Sequence, residues 1–336
     1  MADFSLQIRN WYRLNSRELP WRKTKDPYKI WLSEIILQQT KVDQGLAYYD
    51  RFISSFPDLR MLAEANEQDI LNLWQGLGYY SRARNLHFAA NQIVNDFNGV
   101  FPDNYNDILK LKGVGEYTAA AISSFAFGEA RGVVDGNVYR VLSRVFDIDD
   151  PIDLSRGQKR FSALANELIS KTSPAEHNQA IMELGAMICK PSRPKCEACP
   201  VNNMCLAIAN KTINERPVKS KKLKIQDLFF HFIVVSDDNG LILEKRHDGI
   251  WKNMFQFPLL ETKSMELPSQ LKKIYIEQEY RTKHNLSHRR IHATFYKMSA
   301  LPKLFERREL IKIPHGELEK YPLPRLIDRY LEDVDL

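Results

Sequence analysis

Apolar residues in the first 210 positions recur at helical spacing, and strand-like runs are confined to the part after residue 225. Asp26-Pro27 precedes a periodic apolar stretch from Tyr28 to Leu37, and Pro57 and Pro102 each stand at the start of another helical pattern. Proline is tolerated in the first turn of a helix and not in its interior, so these positions read as helix starts. Glycines gather at Gly76/Gly78, Gly113/Gly115 and Gly132/Gly136, where they punctuate turns. Later the texture changes. Leu228 to Val235 is β-branched and aromatic, Asp237-Asp238-Asn239-Gly240 is a turn signal, and Leu241 to Lys245 is a second run, which together predict a hairpin. Ile291 to Met298 predicts a further strand, and Pro324 to Asp333 a closing helix. The polar, lysine-rich segment from Ile213 to Lys224 reads as a connector. No internal repeat interrupts this order.

These patterns predict a helical domain over 1–210, a linker over 211–225 and a mixed α/β domain over 226–336. A chain of 336 residues fits about two domains. No apolar run reaches the length needed to cross a bilayer, and the N-terminal segment carries Asp3 and no apolar core of signal-peptide length. A cytoplasmic protein with no membrane partner is the expectation. The net charge of +6 permits a polyanionic partner without demanding one. The run Lys219-Ser220-Lys221-Lys222-Leu223-Lys224 reads equally well as a solvated linker or as a phosphate contact.

The four cysteines of the chain fall within one short stretch, Cys189, Cys196, Cys199 and Cys205, spaced C-x6-C-x2-C-x5-C. Structural zinc sites usually bring two C-x2-C pairs, whereas four thiolates on one loop suit a [4Fe–4S] cluster. Lys190, Arg193 and Lys195 lie inside this loop. Upstream, Leu111-Lys112-Gly113-Val114-Gly115 separates two helical patterns. A turn of this kind offers backbone N–H groups at a helix N-terminus to an anion such as a DNA phosphate, and glycine lets the anion come close. The bare pattern also describes a tight helix–helix turn. Twenty residues beyond Gly115 stands Asp135, followed by a glycine and a helical pattern, which suits an N-cap.

A G-V-G hairpin, an acid twenty residues later and then the cysteine loop, in that order, resembles the helix-hairpin-helix DNA glycosylase superfamily with its iron–sulfur loop. Within it the chain is similar to the MutY-type adenine DNA glycosylases. The words carrying the likeness are Leu19-Pro20-Trp21-Arg22, Trp31-Leu32-Ser33-Glu34-Ile35-Ile36-Leu37-Gln38-Gln39-Thr40, Gly76-Leu77-Gly78-Tyr79-Tyr80-Ser81-Arg82, Val134-Asp135-Gly136-Asn137-Val138 and Glu183-Leu184-Gly185-Ala186. The resemblance implies a mainly α helix-hairpin-helix glycosylase domain, with a six-helix part over about 25–130 and a cluster-bearing part from 1–24 and 131–210, and an α+β Nudix-like C-terminal domain. It implies a monomer acting on double-stranded DNA that contains adenine opposite 8-oxoguanine or guanine, in base excision repair.

The likeness also distributes roles. Glu34 would be the general acid, since its apolar neighbours Trp31, Ile35 and Ile36 would raise its pKa. Asp135 would stabilise the cationic sugar, with Tyr117 and Asn137 orienting the acid, the water and the intermediate. Trp21, Arg22 and Glu183 would form the base pocket, Glu183 by accepting from an exocyclic amine. Tyr79 and Gln39 would fill the gap left by the flipped nucleotide, with Gln38, Thr40 and Leu77 beside them and Gly113 and Gly115 on a phosphate. Gln38 and Gln39, read as adjacent positions of a helix, could not face the same way. Bifunctional relatives of the endonuclease III type carry a lysine two residues after the G-V-G, where this chain has Tyr117. A Schiff base needs that amine, so base excision without strand cleavage is expected.

The C-terminal part lacks the acid array of the Nudix hydrolase signature around 264–280, which disfavours a magnesium-dependent pyrophosphatase. The family reads 8-oxoguanine with a phenylalanine-serine-histidine loop. Here Asn285-Leu286-Ser287-His288 keeps the serine and the histidine, and leucine replaces the aromatic ring. Two other readings compete: an endonuclease III-like lyase, and a non-catalytic DNA-binding or redox protein, which would have no use for paired carboxylates.

Overall fold

The computed structural model describes residues 2–220 and 225–334. The lysine-rich run at 221–224 therefore lies outside the described residues, and with it part of the expected linker. In chain order the helices are α1 (Ala2–Asn15), α2 (Pro27–Leu37), α3 (Val42–Ser55), α4 (Leu59–Glu64), α5 (Glu67–Trp74), α6 (Ser81–Asp96), α7 (Tyr105–Ile108), α8 (Glu116–Phe127), α9 (Gly136–Val145), α10 (Ser155–Leu168), α11 (Pro174–Met187), α12 (Leu206–Ala209) and α13 (Arg325–Asp333). The strands are β1 (Gln226–Val234), β2 (Ser236–Asp237), β3 (Gly240–Lys245), β4 (Phe255–Gln256), β5 (Leu259–Thr262), β6 (Gln278–Asn285), β7 (Arg289–Lys297) and β8 (Leu310–Ile313). No helix among the described residues is long and apolar enough to cross a membrane.

The chain divides into two compact units. One comprises residues 1–64 and 88–222, the other 65–87 and 223–336. The sequence reading places 65–87 wholly with the helices, yet these residues bond to the C-terminal part. Asn72 donates to the Lys320 carbonyl, Gln75 donates to Asp328, Arg84 donates to the Lys252 carbonyl, and the Asn253 amide donates to Glu67.

In the first unit α2 is nearly all buried, from Tyr28 to Ile36, because its apolar residues run around the whole helix rather than along one stripe. Asp26 caps it by accepting from the Tyr28 amide, and Pro27 opens it. The helix ends at Leu37, so Gln38 and Gln39 are not helical neighbours. Gln38 is the C-cap, and Gln39 adopts a left-handed conformation with φ 60°. A second core gathers Phe4 and Ile8 of α1, Ala120 and Ala121 of α8, Val138, Val141 and Leu142 of α9, Phe161 of α10 and Leu184 of α11. Thus α8, α9 and α11, which carry the residues of interest, share one packed centre.

In the second unit one sheet has the order β5-β1-β7-β6, and β3 is the centre of a second sheet with β2, β4 and β8. The expected hairpin is corrected here. β1 runs parallel to β7 and antiparallel to β5, while the tight turn joins only the two-residue β2 to β3. The chain leaves the first sheet after Val234 and enters the second. The helix α13 lies on one face of the first sheet, where Tyr330 stacks on Phe295 with ring centroids 4.0 Å apart.

Candidate active site and cluster loop

The first helical turn of α8 follows the Gly113-Val114-Gly115 turn. Gly113 has φ 78°, which glycine adopts without strain. Gly115 is the N-cap of α8 and supplies no side-chain cap, and a Cβ built on it would meet nothing within 4 Å. The first amides of α8 are therefore left for another acceptor.

Tyr117, in that first turn, donates its phenol to Glu34 Oε2 at 2.7 Å. Glu34 is buried, on a helix surrounded by Trp31, Ile35 and Ile36. Burial pushes its carboxyl from 4.5 up to about 7; the Tyr117 hydrogen bond and the charge of Arg22 oppose the rise, and the charge of Asp135 adds to it. The Tyr117 phenol is itself held well above its usual range, by burial first and then by the charges of Glu34 and Asp135. It stays neutral and donates.

Asp135 caps α9. Its Oδ1 accepts from the Val138 amide at 2.7 Å and its Oδ2 accepts from Asn137 Nδ2 at 2.7 Å. Burial raises its pKa, opposed by the Val138 amide, the Asn137 side chain and the Asn137 amide, and then by the charge of Arg140. Asn137 in turn accepts from Arg140 Nη2 at 2.8 Å, and Arg140 Nε donates to the Cys189 carbonyl at 2.6 Å. A continuous chain of hydrogen bonds thus runs from the Asp135 carboxyl to the backbone of the first cluster cysteine. Gly185 on α11 allows it, because a Cβ there would stand 2.6 Å from the Asn137 Cβ.

Glu183 is buried and held by two arginines. Arg17 donates to both its oxygens at 2.8 and 2.7 Å, and Arg22 donates to them at 3.1 and 2.7 Å. Burial alone would raise its pKa, but the donors from Arg17 and Arg22 prevail and hold it near 2. It is an ionised acceptor facing two guanidinium groups. The sequence reading misses Arg17. The only available signal was its position five residues before Arg22, which by itself says nothing. Trp21 is buried edge-on against Tyr49, with centroids 5.1 Å apart.

Gln38 reaches Thr118 Oγ1 at 3.3 Å, Gln39 is exposed, and the Thr40 hydroxyl bonds to the Gln38 carbonyl. In the second unit Leu77 is buried, whereas Tyr79 is 45% exposed and left-handed at φ 49°. A residue other than glycine is strained there. The Tyr79 phenol hydrogen-bonds to the Ser287 hydroxyl. His288 is exposed on the same turn. Tyr80, by contrast, packs in the interior and accepts from the Gly76 amide.

The four cysteines are unpaired, and all four line one small pocket with Val141, Arg144 and Leu184. Among the described residues no group of three or more His, Cys, Asp or Glu side chains is arranged as a cage for a metal ion. The fit rests on four cysteines of one loop lining a single pocket, a donor set of the kind iron–sulfur clusters take. Arg144 staples the loop, donating to the carbonyls of Lys190, Pro191, Ile213 and Arg216 and lying 3.4 Å from Cys189 Sγ. Burial, with the neighbouring thiols adding to it, lifts the Cys199 thiol to about 11. Such a thiol ionises at neutral pH only when bound to a metal.

This fold, with its hairpin, buried acid and cysteine loop, defines an iron–sulfur DNA glycosylase of the helix-hairpin-helix class. Residues 32–167 match the HhH-GPD superfamily of base excision DNA repair proteins, residues 189–205 the iron-sulfur binding domain of endonuclease III, and residues 230–333 a NUDIX domain. The chain belongs to the adenine DNA glycosylase family. It is 40% identical to the adenine DNA glycosylase of Buchnera aphidicola subsp. Baizongia pistaciae, covering 85% of this chain and 83% of that one. It is 41% identical to the human adenine DNA glycosylase over 62% of this chain and 40% of that one. Among solved structures, a thermostable thymine-DNA glycosylase superposes with a TM-score of 0.58 and 32% identity over 62% of this chain and 95% of that one. An endonuclease III–DNA covalent intermediate shares the fold, with a TM-score of 0.54 and 20% identity over 62% of this chain and 95% of that one.

Proposed function

We propose that this chain removes adenine mispaired with 8-oxoguanine or guanine from double-stranded DNA, by hydrolysis of the N-glycosidic bond and without cutting the strand. The observation that carries the reading is the Tyr117–Glu34 hydrogen bond beside Asp135, which pairs a proton-bearing acid with a second carboxyl. Adenine is a poor leaving group until protonated. An acid titrating near 7 keeps its proton in about half of the molecules at neutral pH, and it is strong enough to give it to a ring nitrogen. As the C1′–N9 bond breaks, positive charge grows on the sugar, and Asp135 stands as the carboxylate to offset it. Its cap bonds to Val138 and Asn137 fix its direction, while Glu34, once deprotonated, takes the proton of the incoming water.

The target nucleotide must leave the stack to reach these groups, at a cost of a few kcal/mol. Tyr79 and Gln39 would fill the vacated space, and the exposed α8 N-terminus would hold a phosphate. The sequence expectation that Glu183 accepts from the exocyclic amine is set aside, because its two oxygens are already filled by donors from Arg17 and Arg22; it would instead hold Arg22 in place beside Trp21 at the base pocket. The contact of Tyr79 with Ser287 supports a shared role for the two at the base opposite the adenine, joined by His288. Cys189, Cys196, Cys199 and Cys205 would hold the [4Fe–4S] cluster, which when bound fixes the loop carrying Lys190, Arg193 and Lys195. Action as a monomer with DNA is part of the same reading.

Tyr117 occupies the position where a lyase would need an amine. Incubation with a duplex containing adenine opposite 8-oxoguanine, followed by hot alkali, tests the proposal. Strand breaks appearing only after alkali support it. Breaks without alkali would favour a lyase, and none at all would leave a binding protein.

A further inference from the structure

The hairpin of β6 and β7 is the most lopsided stretch of charge in the C-terminal part. Residues 226–336 hold 18 basic and 17 acidic side chains, nearly balanced. Yet Arg281 to His292 contains four arginines and lysines, three histidines and no acid. Strand register fixes where these groups point, because directly opposed residues share a face. Lys283 opposes His292 and Asn285 opposes Arg290 across β6 and β7, and across β7 and β1 His292 opposes Phe229 and Arg290 opposes Asp227. Lys283, Arg290, His292 and Phe229 therefore stand on one face of the sheet.

Among the described residues, that face is covered at one end only. Toward its far end Ile233, Tyr296 and Met298 pack against Leu271 and Phe305, contributed by short 3-10 segments. Among the described residues, no such segment covers the near end, next to the 285–288 turn. There Phe229 and His292 stack with centroids 5.0 Å apart and planes 19° from parallel, giving a flat floor. Asp227 is drawn to His292 at 2.6 Å, which ties up the nearest acid. Lys283 is exposed, and Arg290 donates to the Asn285 amide oxygen at 3.3 Å. The opposite face is closed by α13, with Tyr330 on Phe295.

We infer that this open end of the sheet is a second DNA contact, with Lys283 and Arg290 on backbone phosphates and the Phe229–His292 floor beneath the strand. The inference rests on the reading of the chain as acting on duplex DNA. The occupant follows from charge: a polyanion matches a cationic strip with no acid in twelve residues, and long cationic side chains over a flat surface follow a backbone without reading bases. The contact is sequence-independent and extends the footprint away from the 285–288 turn.

The test uses the full chain with its cluster. Binding of Lys283→Gln/Arg290→Gln is measured across a salt series, on an adenine·8-oxoguanine duplex and on a fully paired duplex of equal length. Losing two phosphate contacts should lower the slope of log affinity against log salt by about 1.8 on B-DNA. Affinity should fall at least about tenfold near 0.1 M salt, equally on both duplexes. Lys283→Arg/Arg290→Lys should keep the slope of the parent, and so should Lys272→Gln/Lys273→Gln, two exposed lysines elsewhere in the same unit. A parental slope and affinity in the Gln/Gln variant would overturn the inference, as would a loss confined to the damaged duplex. A parent that binds DNA but releases no adenine would overturn the proposed function and leave the surface to be judged on binding alone.

Discussion

At the scale of single residues, Glu34 decides how this chain should respond to pH. Its working form as an acid is the protonated one, and burial places its pKa near 7. Single-turnover excision should therefore decline on the alkaline side with a midpoint near 7, and Glu34→Gln should lose about 10²–10⁴ in rate while binding DNA as before. A variant excising at the parental rate would remove Glu34 from the chemistry. Tyr117→Phe takes away the hydrogen bond that lowers the Glu34 pKa, so its alkaline midpoint should move up, at a reduced plateau rate. The same shift acts on stability. The folded-state pKa lies above the ordinary 4.5, so the stability at low pH is lost as pH rises through 7. Glutamine stays neutral, so Glu34→Gln should be the more stable protein above pH 7, on the order of 1–3 kcal/mol, and the gap should close below pH 4.5, where Glu34 is protonated folded or unfolded. Chemical denaturation at pH 8 and pH 4 checks the sign.

At the scale of elements, the close approach of α9 and α11 holds Asp135 and Asn137 in place. An alanine at Gly185 would push its Cβ into the Asn137 backbone, within 3.0 Å of both its O and its Cα. Backbone cannot yield as a flexible side chain does, so the first turn of α9 must shift. Gly185→Ala should cost about 1–3 kcal/mol and lower excision at least tenfold. Gly115→Ala meets nothing and has an extended φ of −97°, so it should leave stability within about 0.5 kcal/mol while weakening duplex binding. Thermal melts beside binding isotherms separate the two cases. Much of this layout was legible in the sequence. Asp26-Pro27 marked the start of α2, Asp135 the cap of α9, and the apolar run after Leu228 the strand β1, because each rests on local chemistry. β6 was not legible. Its sequence, Gln-Glu-Tyr-Arg-Thr-Lys-His-Asn, is polar because it is an edge strand with an open face, and no hydrophobic alternation announces it. Nor was the Arg17–Glu183 pair, which joins residues 166 positions apart, or the break after Leu37, where Gln39 turns left-handed.

At the scale of the whole molecule, the units do not follow the chain. Residues 65–87, which the repair-protein match counts among the helices, are bonded to the C-terminal part through Asn72, Gln75 and Arg84. Removing residues 223–336 therefore takes away the partners of a segment that stays behind. In the shortened chain, amide exchange across 67–74 should speed up by at least tenfold, while α8 and α9 keep their protection. Equal protection of 67–74 in both chains would mean that α5 is held by the helices alone. The full chain offers a gentler probe of the same unit. Asp328 accepts from Gln75, and burial lifts its carboxyl to about 6, opposed by the Gln75 bond and the charge of Arg325. A carboxyl whose folded pKa is raised withdraws stability as pH climbs through 6, because the buried form must then carry charge. Asparagine in its place still accepts from Gln75 and never ionises. Asp328→Asn should accordingly slow exchange at 67–74 above pH 6 relative to the parent. Faster exchange in the variant would show that the ionised carboxylate, rather than the neutral acid, is what holds α5 to this unit.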